Sequence, residues 1–243
     1  MNKKTVEKLL ALNKAFYEKA GSSFSRTRNY GWPGWKLVLQ DFKVAQADIN
    51  NVLDLACGNG RFFDTLNKYF PKASYIGVDD SEILLHEAEL NYHDKNVSWI
   101  NQDVLKGVEV EGRFDLVCSF GFLHHIPSFE LRNSFLLNAA SKLSPTGYLV
   151  ISLWDFLGKK YEQRNAQDEL LIEVGIAPND LDEHDFILDW RSQQRALRYA
   201  HAYDDDEIAE LLDVSGLSLE KEFYADGRDG KSNRYLIIKT KRY

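Results

Sequence analysis

The segment Asp54-Leu55-Ala56-Cys57-Gly58-Asn59-Gly60 sets one carboxylate ahead of two glycines, at the end of a short apolar run. Glycines at such a turn let a ligand approach the backbone and meet the first N–H groups of the following helix. Two ligand classes use that geometry, and they require different neighbours. A dinucleotide pyrophosphate needs a small residue three positions after the second glycine, so that helix and strand pack closely around it. That position holds Phe63, and an anion gains nothing from Asp54. S-adenosylmethionine is the opposite case, a sulfonium cation with an ammonium group and two ribose hydroxyls, and Asp54 suits it. Asp79, 25 residues further on in YIGVDD and followed by Asp80, is placed to accept from both ribose hydroxyls. Asp103 in NQD is placed for the adenine amine, with the Val104 N–H beside it. One aspartate at a strand end is usually a turn former or a helix cap; three in order point to this cofactor.

The elements that must hold these residues alternate along the chain. NVLDLAC, SYIGVDD, NVSWINQD, FDLVCSF and YLVISLW read as strands. RFFDTLNKYF, SEILLHEAELNYH (with Ser81 as N-cap) and SFELRNSFLLNAASKL, ended by SPTG, read as helices. Strands apolar on both faces and alternating with helices predict a parallel sheet covered on both sides, with ligand groups at the carboxyl ends of its strands. LSLEKEFY and NRYLIIKTK follow each other through ADGRDGKS without a helix, so they pair antiparallel. The expected fold is α/β: a Rossmann-like, doubly wound, seven-stranded, mostly parallel sheet with a C-terminal antiparallel strand pair. Upstream, Val6, Leu9, Leu10, Asn13, Phe16 and Tyr17 recur at helical spacing and predict a helix over 4–20, stopped by Gly21-Ser22-Ser23. Gly31, Pro33 and Gly34 then bar a long helix until Trp35–Phe42 restart one.

Composition narrows the class. The chain has 243 residues, 44% of them apolar, enough for a core without disulfides. No run of 18 apolar residues and no charged-then-apolar leader is present, so neither a membrane span nor export is expected. Cys57 and Cys118 make no metal spacing. We expect a single cytoplasmic domain over 1–243, with no metal. Lysine and arginine balance aspartate and glutamate at 17 each through Val150; the remainder carries 13 against 20. An acidic chain is not drawn as a whole to phosphate backbones. A nucleic acid would have to be held by local clusters, of which Arg26/Arg28/Lys36, Lys159/Lys160/Arg164, Arg191/Arg195/Arg198 and Arg228/Lys231/Arg234 are the candidates.

VLDLACGNG, YIGVD, NQDV, FDLVCSFGFLHHI and LSPTGYLVIS together resemble the class I S-adenosylmethionine-dependent methyltransferases, from residue 49 to the end. Ala56 departs from the family's usual glycine, which a negative local φ would tolerate. FSRTRNYGWPGW, HHIPS, Trp154 with the charged segment after it, and LRYAHAYDDDEIAELL resemble, further, the tRNA methyltransferases that esterify carboxymethyluridine at the wobble position. That resemblance implies tRNA as a partner. It also implies a small zinc-binding activator subunit along the third strand, at 96–101, where Trp99 either contributes or packs under a helix. In the methyltransferase class an insert after strand five covers the acceptor pocket, so 155–201 is expected as an acceptor-side lid, with 1–45 as a helical cap.

Methyl transfer from a sulfonium is an in-line displacement in which alignment and exclusion of water dominate. A carboxylate acceptor is already ionised and needs no base; it needs a positioned cation, best an arginine fork. Arg26, Arg28, Arg191 and Arg198 are the candidates, Arg28 also for the cofactor's own carboxylate. Trp32 either closes over the site or anchors the N-terminal helix. His124 and His125 follow the fourth strand, and family position favours His125, as a base toward a hydroxyl or amine or as an orienting group toward a carboxylate. Ser119 and Phe120 line the same strand end, with Phe120 against the methionine part of the cofactor. Two other readings stay open: a methyltransferase of a small carboxylate, amine or hydroxyl compound, and a non-catalytic binding subunit. The retained Asp54, Gly58, Gly60 and Asp79 count against the last.

Overall fold

A computed structural model describes residues 1–26, 31–93, 95–156, 167–191 and 195–241, with the backbone alone at 20–26 and 191. The alternating runs form β1 (Asn51–Leu55), α3 (Phe62–Tyr69), β2 (Ser74–Asp79), α4 (Glu82–Tyr92), β3 (Val97–Asn101), β4 (Phe114–Phe120), α5 (Phe129–Ala140) and β5 (Leu143–Trp154). α1 (Lys3–Arg26) and α2 (Pro33–Val44) precede them. α6 (Gln167–Val174), β6 (Asp185–Arg191), β7 (Arg195–His201), α7 (Asp205–Val214), β8 (Leu217–Ala225) and β9 (Asn233–Thr240) follow. The main sheet has seven strands in the order β3-β2-β1-β4-β5-β9-β8. β1 to β5 run parallel, while β9 pairs antiparallel with both β5 and β8. Strand order reverses between β1 and β4, the place where open α/β sheets leave a crevice for ligands.

Each face of the sheet is buried by its own helices. Trp35, Val38 and Leu39 of α2, Phe62, Phe63 and Leu66 of α3 and Tyr92 of α4 cover one face. Phe135, Leu136 and Ala139 of α5 with Ile208, Leu211 and Leu212 of α7 cover the other. Phe63 is buried and meets Tyr75 and Tyr92 edge-on at 5.5 and 5.3 Å, so a ring packs α3 where a pyrophosphate site would need a small residue.

Three local expectations give way to packing. α1 runs on to Arg26, through Gly21-Ser22-Ser23, because a helix already anchored by buried Leu9, Asn13 and Phe16 can propagate through weak formers at about 1 kcal/mol for a glycine. α2 begins at Pro33, which as N1 has no N–H to lose. Gly34 is there because a Cβ would stand 2.2 Å from the Tyr235 ring. That approach is locked by buried Asp226, which accepts from the Gly34 N–H (2.9 Å), the Asn233 amide (2.8 Å) and the Tyr235 hydroxyl (2.6 Å). β5 starts at Leu143 and absorbs the SPTG turn, with a register shift against β4 between Phe114 and Leu116.

The segment 155–201 differs most from its expectation. Arg195 and Arg198 do not share a helical stripe: they lie on β7, which pairs antiparallel with β6 in a separate two-stranded sheet, and Arg191 ends β6. Leu9 of α1, Leu170 and Leu171 of α6, Ile187 of β6 and Tyr199 of β7 form one small core. The N-terminal helix and the insert, distant in sequence, thus bury one common core.

Candidate active site

The glycine turn leaves β1 with alternating left-handed backbone: φ is 58° at Ala56, 58° at Gly58 and 71° at Gly60. Ala56 therefore does not have the negative φ that would make alanine harmless, and the Cβ carries strain that the family's glycine avoids. A left-handed alanine costs about 1–2 kcal/mol, partly offset because glycine frees the unfolded chain. Ala56→Gly should stabilise the protein by about 0.5–1 kcal/mol in urea unfolding, with cofactor affinity retained; a loss of stability would show that the turn is relaxed as it stands.

The three acids stand at the ends of neighbouring strands but are used differently. Asp54 lies within β1, 2% exposed, and accepts from the Tyr75 hydroxyl at 2.5 Å. Asp79 closes β2, one carboxylate oxygen accepting from the Gly58 N–H (2.8 Å) and the other from the Ser81 N–H (2.9 Å), so it ties the turn to the start of α4. Ser81 caps α4 as expected, accepting from the Leu84 N–H. Asp103 accepts from the Leu105 N–H at 3.0 Å and pairs with Lys106, starting a short 3-10 turn whose first residue, Val104, is buried. Asp80 is exposed beside Asp79. Carboxylates at these strand ends, one of them on a glycine N–H of the turn, are the acceptor set that a sulfonium with ribose hydroxyls calls for, and Asp54, Asp79, Asp103, Gly58 and Gly60 fit that cofactor.

Burial pushes the Asp54 carboxyl up to about 7, against the hydrogen bonds from Tyr75 and Cys118, and pushes Asp79 up to about 6, against the Ser81 and Gly58 amides. Unfolded aspartate titrates near about 3.9, so the folded chain keeps protons that the unfolded chain has lost. The stability this confers is complete at low pH and disappears as pH rises through about 6 and about 7. A bound cation favours the ionised acids instead. Affinity for S-adenosylmethionine should therefore strengthen as pH rises through that window, with proton release seen by calorimetry in buffers of different ionisation enthalpy. A flat profile would mean that neither acid faces the cation.

Trp99 fills the space under the turn: a Cβ on Gly60 or Gly77 would stand 2.1 or 2.5 Å from its ring, and Tyr75 meets it edge-on. Tyr92 also packs against it, at 5.9 Å between centroids. Trp32 stacks on Trp35 (5.1 Å between centroids) under the Arg61 guanidinium (5.1 Å), and a Cβ on Gly121, just after β4, would come 3.1 Å from it. Trp32 thus reaches the strand ends. Phe120 packs among Trp35, Phe62 and Tyr235, and Ser119 is fully buried in the sheet.

On the acceptor side, His124 and His125 form a 3-10 turn after β4, and both are buried. The His124 Nδ1 accepts from the Trp154 N–H at 3.3 Å. The His125 Nδ1 lies 2.9 Å from the Tyr199 carbonyl, which can only accept, so Nδ1 carries a hydrogen. In the neutral ring Nε2 then accepts from the Tyr17 hydroxyl, 2.9 Å away. His125, favoured as the group that meets the acceptor, has both ring nitrogens engaged by the protein. Arg198 is buried with its guanidinium 5.1 Å from the Phe16 ring and 4.7 Å from that of Trp154, beside these histidines. The hairpin carrying it is fixed by a buried charge set. His201 sits between Asp185 (2.8 Å) and Glu207 (2.6 Å), Tyr199 donates to Asp185, and Arg132 pairs with Glu207. Burial opposes protonation of His201, but the two carboxylates prevail and raise its pKa.

Arg28 and the cluster Lys159/Lys160/Arg164 lie outside the described residues, as do the side chains of Arg26 and Arg191. One arginine of each of two other clusters is drawn into ion pairs: Arg195 with Glu173 and Asp189, and Arg234 with Asp205 and Glu222. In the sequence Tyr17 and Asn13 stand as stripe positions of a helix, and polar groups four apart in an apolar stripe are the available signal.

A model of a family of methyltransferase domains matches residues 52–147. A protein of Encephalitozoon cuniculi named as a methyltransferase is 25% identical over 84% of this chain and 86% of its own length. The tRNA (carboxymethyluridine(34)-5-O)-methyltransferase of Mus musculus is 28% identical over 69% of this chain, which spans only 23% of it. The malonyl-[acyl-carrier protein] O-methyltransferase of Bacillus cereus is 31% identical over 50% of this chain and 47% of its own. The fold is shared with an S-adenosylmethionine-dependent methyltransferase from Clostridium acetobutylicum (TM-score 0.67, 15% identity, 94% of this chain and 98% of that one). Residues 52–147 carry a methyltransferase domain, and the sheet order and acid-lined turn around it are those of an S-adenosylmethionine-dependent methyltransferase. Among the described residues no helix is long and apolar enough to cross a membrane.

Proposed function

We propose that the chain methylates a carboxylate, and that the carboxylate is that of carboxymethyluridine at the wobble position of tRNA. The observation that carries the first half is Arg198, a guanidinium held between Phe16 and Trp154 next to the His124-His125 turn. A fixed arginine fork suits an anionic acceptor, and an ionised acceptor needs no base. The two relatives named for their acceptors agree in chemistry: carboxymethyluridine and malonyl groups both present a carboxylate on a large carrier. The tRNA half is supported by the greater share of this chain that the first of them matches, and by the flanking segments FSRTRNYGWPGW and HHIPS.

Cofactor chemistry then sets the division of labour. S-adenosylmethionine supplies a methyl group on a cationic sulfur. The glycine turn with Asp54, Asp79 and Asp103 binds and orients it, while Arg198 and the histidine turn orient the acceptor, and the cap of α1, α6 and the β6–β7 hairpin excludes water. The small zinc-binding activator belongs to the same reading: β3 is an outer strand of the sheet among the described residues, which supports a second chain along 96–101. A cytoplasmic location goes with a tRNA acceptor and two free cysteines.

Nucleoside mass spectrometry of bulk tRNA, incubated with the enzyme and labelled cofactor with and without a zinc-binding partner, tests the reading. Label in a carboxymethyluridine ester, with binding that weakens steeply with salt, is the expected result. Label in no tRNA nucleoside would move the acceptor to a small carboxylate, for which turnover needs no nucleic acid.

A further inference from the structure

α1 crosses the carboxyl edge of the sheet. Lys14 lies close enough for its charge to act on Asp80 beside β2, and Tyr17, one turn later, reaches the His125 turn beyond β4. Asn13, four residues before Tyr17, fixes the crossing: its amide donates to the His125 carbonyl (3.1 Å) and its oxygen accepts from the Tyr199 N–H (2.7 Å). Tyr199 in turn takes the His125 Nδ1 hydrogen on its carbonyl. One face of the cap helix, the histidine turn and β7 are therefore joined by hydrogen bonds that include the half-buried Tyr17 hydroxyl. Phe16, next to Tyr17, carries the Arg198 guanidinium on its ring.

We propose that the Tyr17 hydroxyl, held by His125, is the group that meets the acceptor carboxylate beside Arg198, and that His125 is a positioning residue working through it. The proposal rests on the carboxylate reading above. A phenol oxygen donates one hydrogen bond and accepts two. In the neutral ring of His125 it donates to Nε2. With a carboxylate present it donates to the carboxylate and accepts from a protonated Nε2, and the Nδ1 bond to Tyr199 is the same in both arrangements. Donors placed on one carboxylate oxygen leave the lone pair of the other for attack. That oxygen forms its bond to the methyl carbon as the carbon–sulfur bond breaks, the bonding pair stays with sulfur, and a neutral ester results with no proton lost.

Acetate stands in for the acceptor in the test, titrated by NMR into the full chain saturated with S-adenosylhomocysteine at constant ionic strength. Saturable acetate binding is expected. Tyr17→Phe, which deletes one oxygen, should weaken it about tenfold or more, the effect of a hydrogen bond to a charged group, with S-adenosylhomocysteine affinity within about twofold of wild type. His125→Ala should weaken it as much, and the double variant no further, since the two act as one unit. Acetate should also move the His125 Nε2 resonance of the wild type into the protonated range, a readout that needs no variant. No saturable acetate binding, additive losses, an unmoved Nε2, or lowered thermal stability with acetate affinity kept would each overturn the proposal. A negative tRNA assay leaves a positive acetate result standing, and a positive tRNA assay does not rescue a negative one.

Discussion

Asp79→Ala should remove nearly all affinity for S-adenosylmethionine, by more than about 100-fold in calorimetry. The carboxylate stands at the end of β2 where two ribose hydroxyls are expected, and hydrogen bonds to a charged group are worth about 1.5–3 kcal/mol each. It also accepts from the Gly58 and Ser81 amides, so its loss loosens the turn that must approach the ligand. Asp79→Asn keeps the shape and one acceptor, and should fall between wild type and alanine. Unchanged binding by Asp79→Ala would refute the role given to this acid, and with it the placement of the cofactor across β1 and β2.

The second large effect lies on the acceptor side. Arg198→Ala should slow methyl transfer by about 100-fold or more in single turnover, as expected when a charge-assisted contact to the reacting anion is lost, while cofactor affinity stays near wild type. Arg198→Lys restores the charge without the fork and should recover only part of the rate. The guanidinium is buried between Phe16 and Trp154, so alanine also leaves a cavity; thermal unfolding of both variants separates that loss from the chemistry. Equal losses of transfer and of cofactor binding would put Arg198 in the other half of the site.

These two predictions differ in how far the sequence supports them. Asp79 is legible because its position follows from local pattern: an apolar run of strand length ending in an acid, repeated three times with helices between. Hydrophobic periodicity fixes which residues are strand ends, and a parallel sheet puts all those ends on one edge. The mostly parallel seven-stranded sheet and the antiparallel β8–β9 pair follow from the same patterns, while the place of β9 between β5 and β8 does not. Phe63 is legible by size alone, since no arrangement of α3 makes a phenyl ring small.

The acceptor side is not legible in that way. Arg195 and Arg198 fit a helical stripe three apart, yet odd spacing on a strand sends them to opposite faces, one into exposed ion pairs and one into the cap. Nothing local in SQQ between Arg191 and Arg195 announces a hairpin; the small core made with Leu9 and Leu171 decides it. The sign of φ at Ala56 is another tertiary outcome, imposed by the turn's need to present its amides between Asp79 and the ligand edge.

By itself, then, the sequence determined the sheet, the edge at which its parallel strands end and the acids placed there, because those depend on periodicity and on residue type at fixed offsets. Only the tertiary structure decided what gathers around the histidine turn after β4. Asn13, Tyr17, His125, Arg198 and Tyr199 come from segments up to 186 residues apart, and their meeting depends on how a cap helix and a hairpin bury one another, which no single segment encodes.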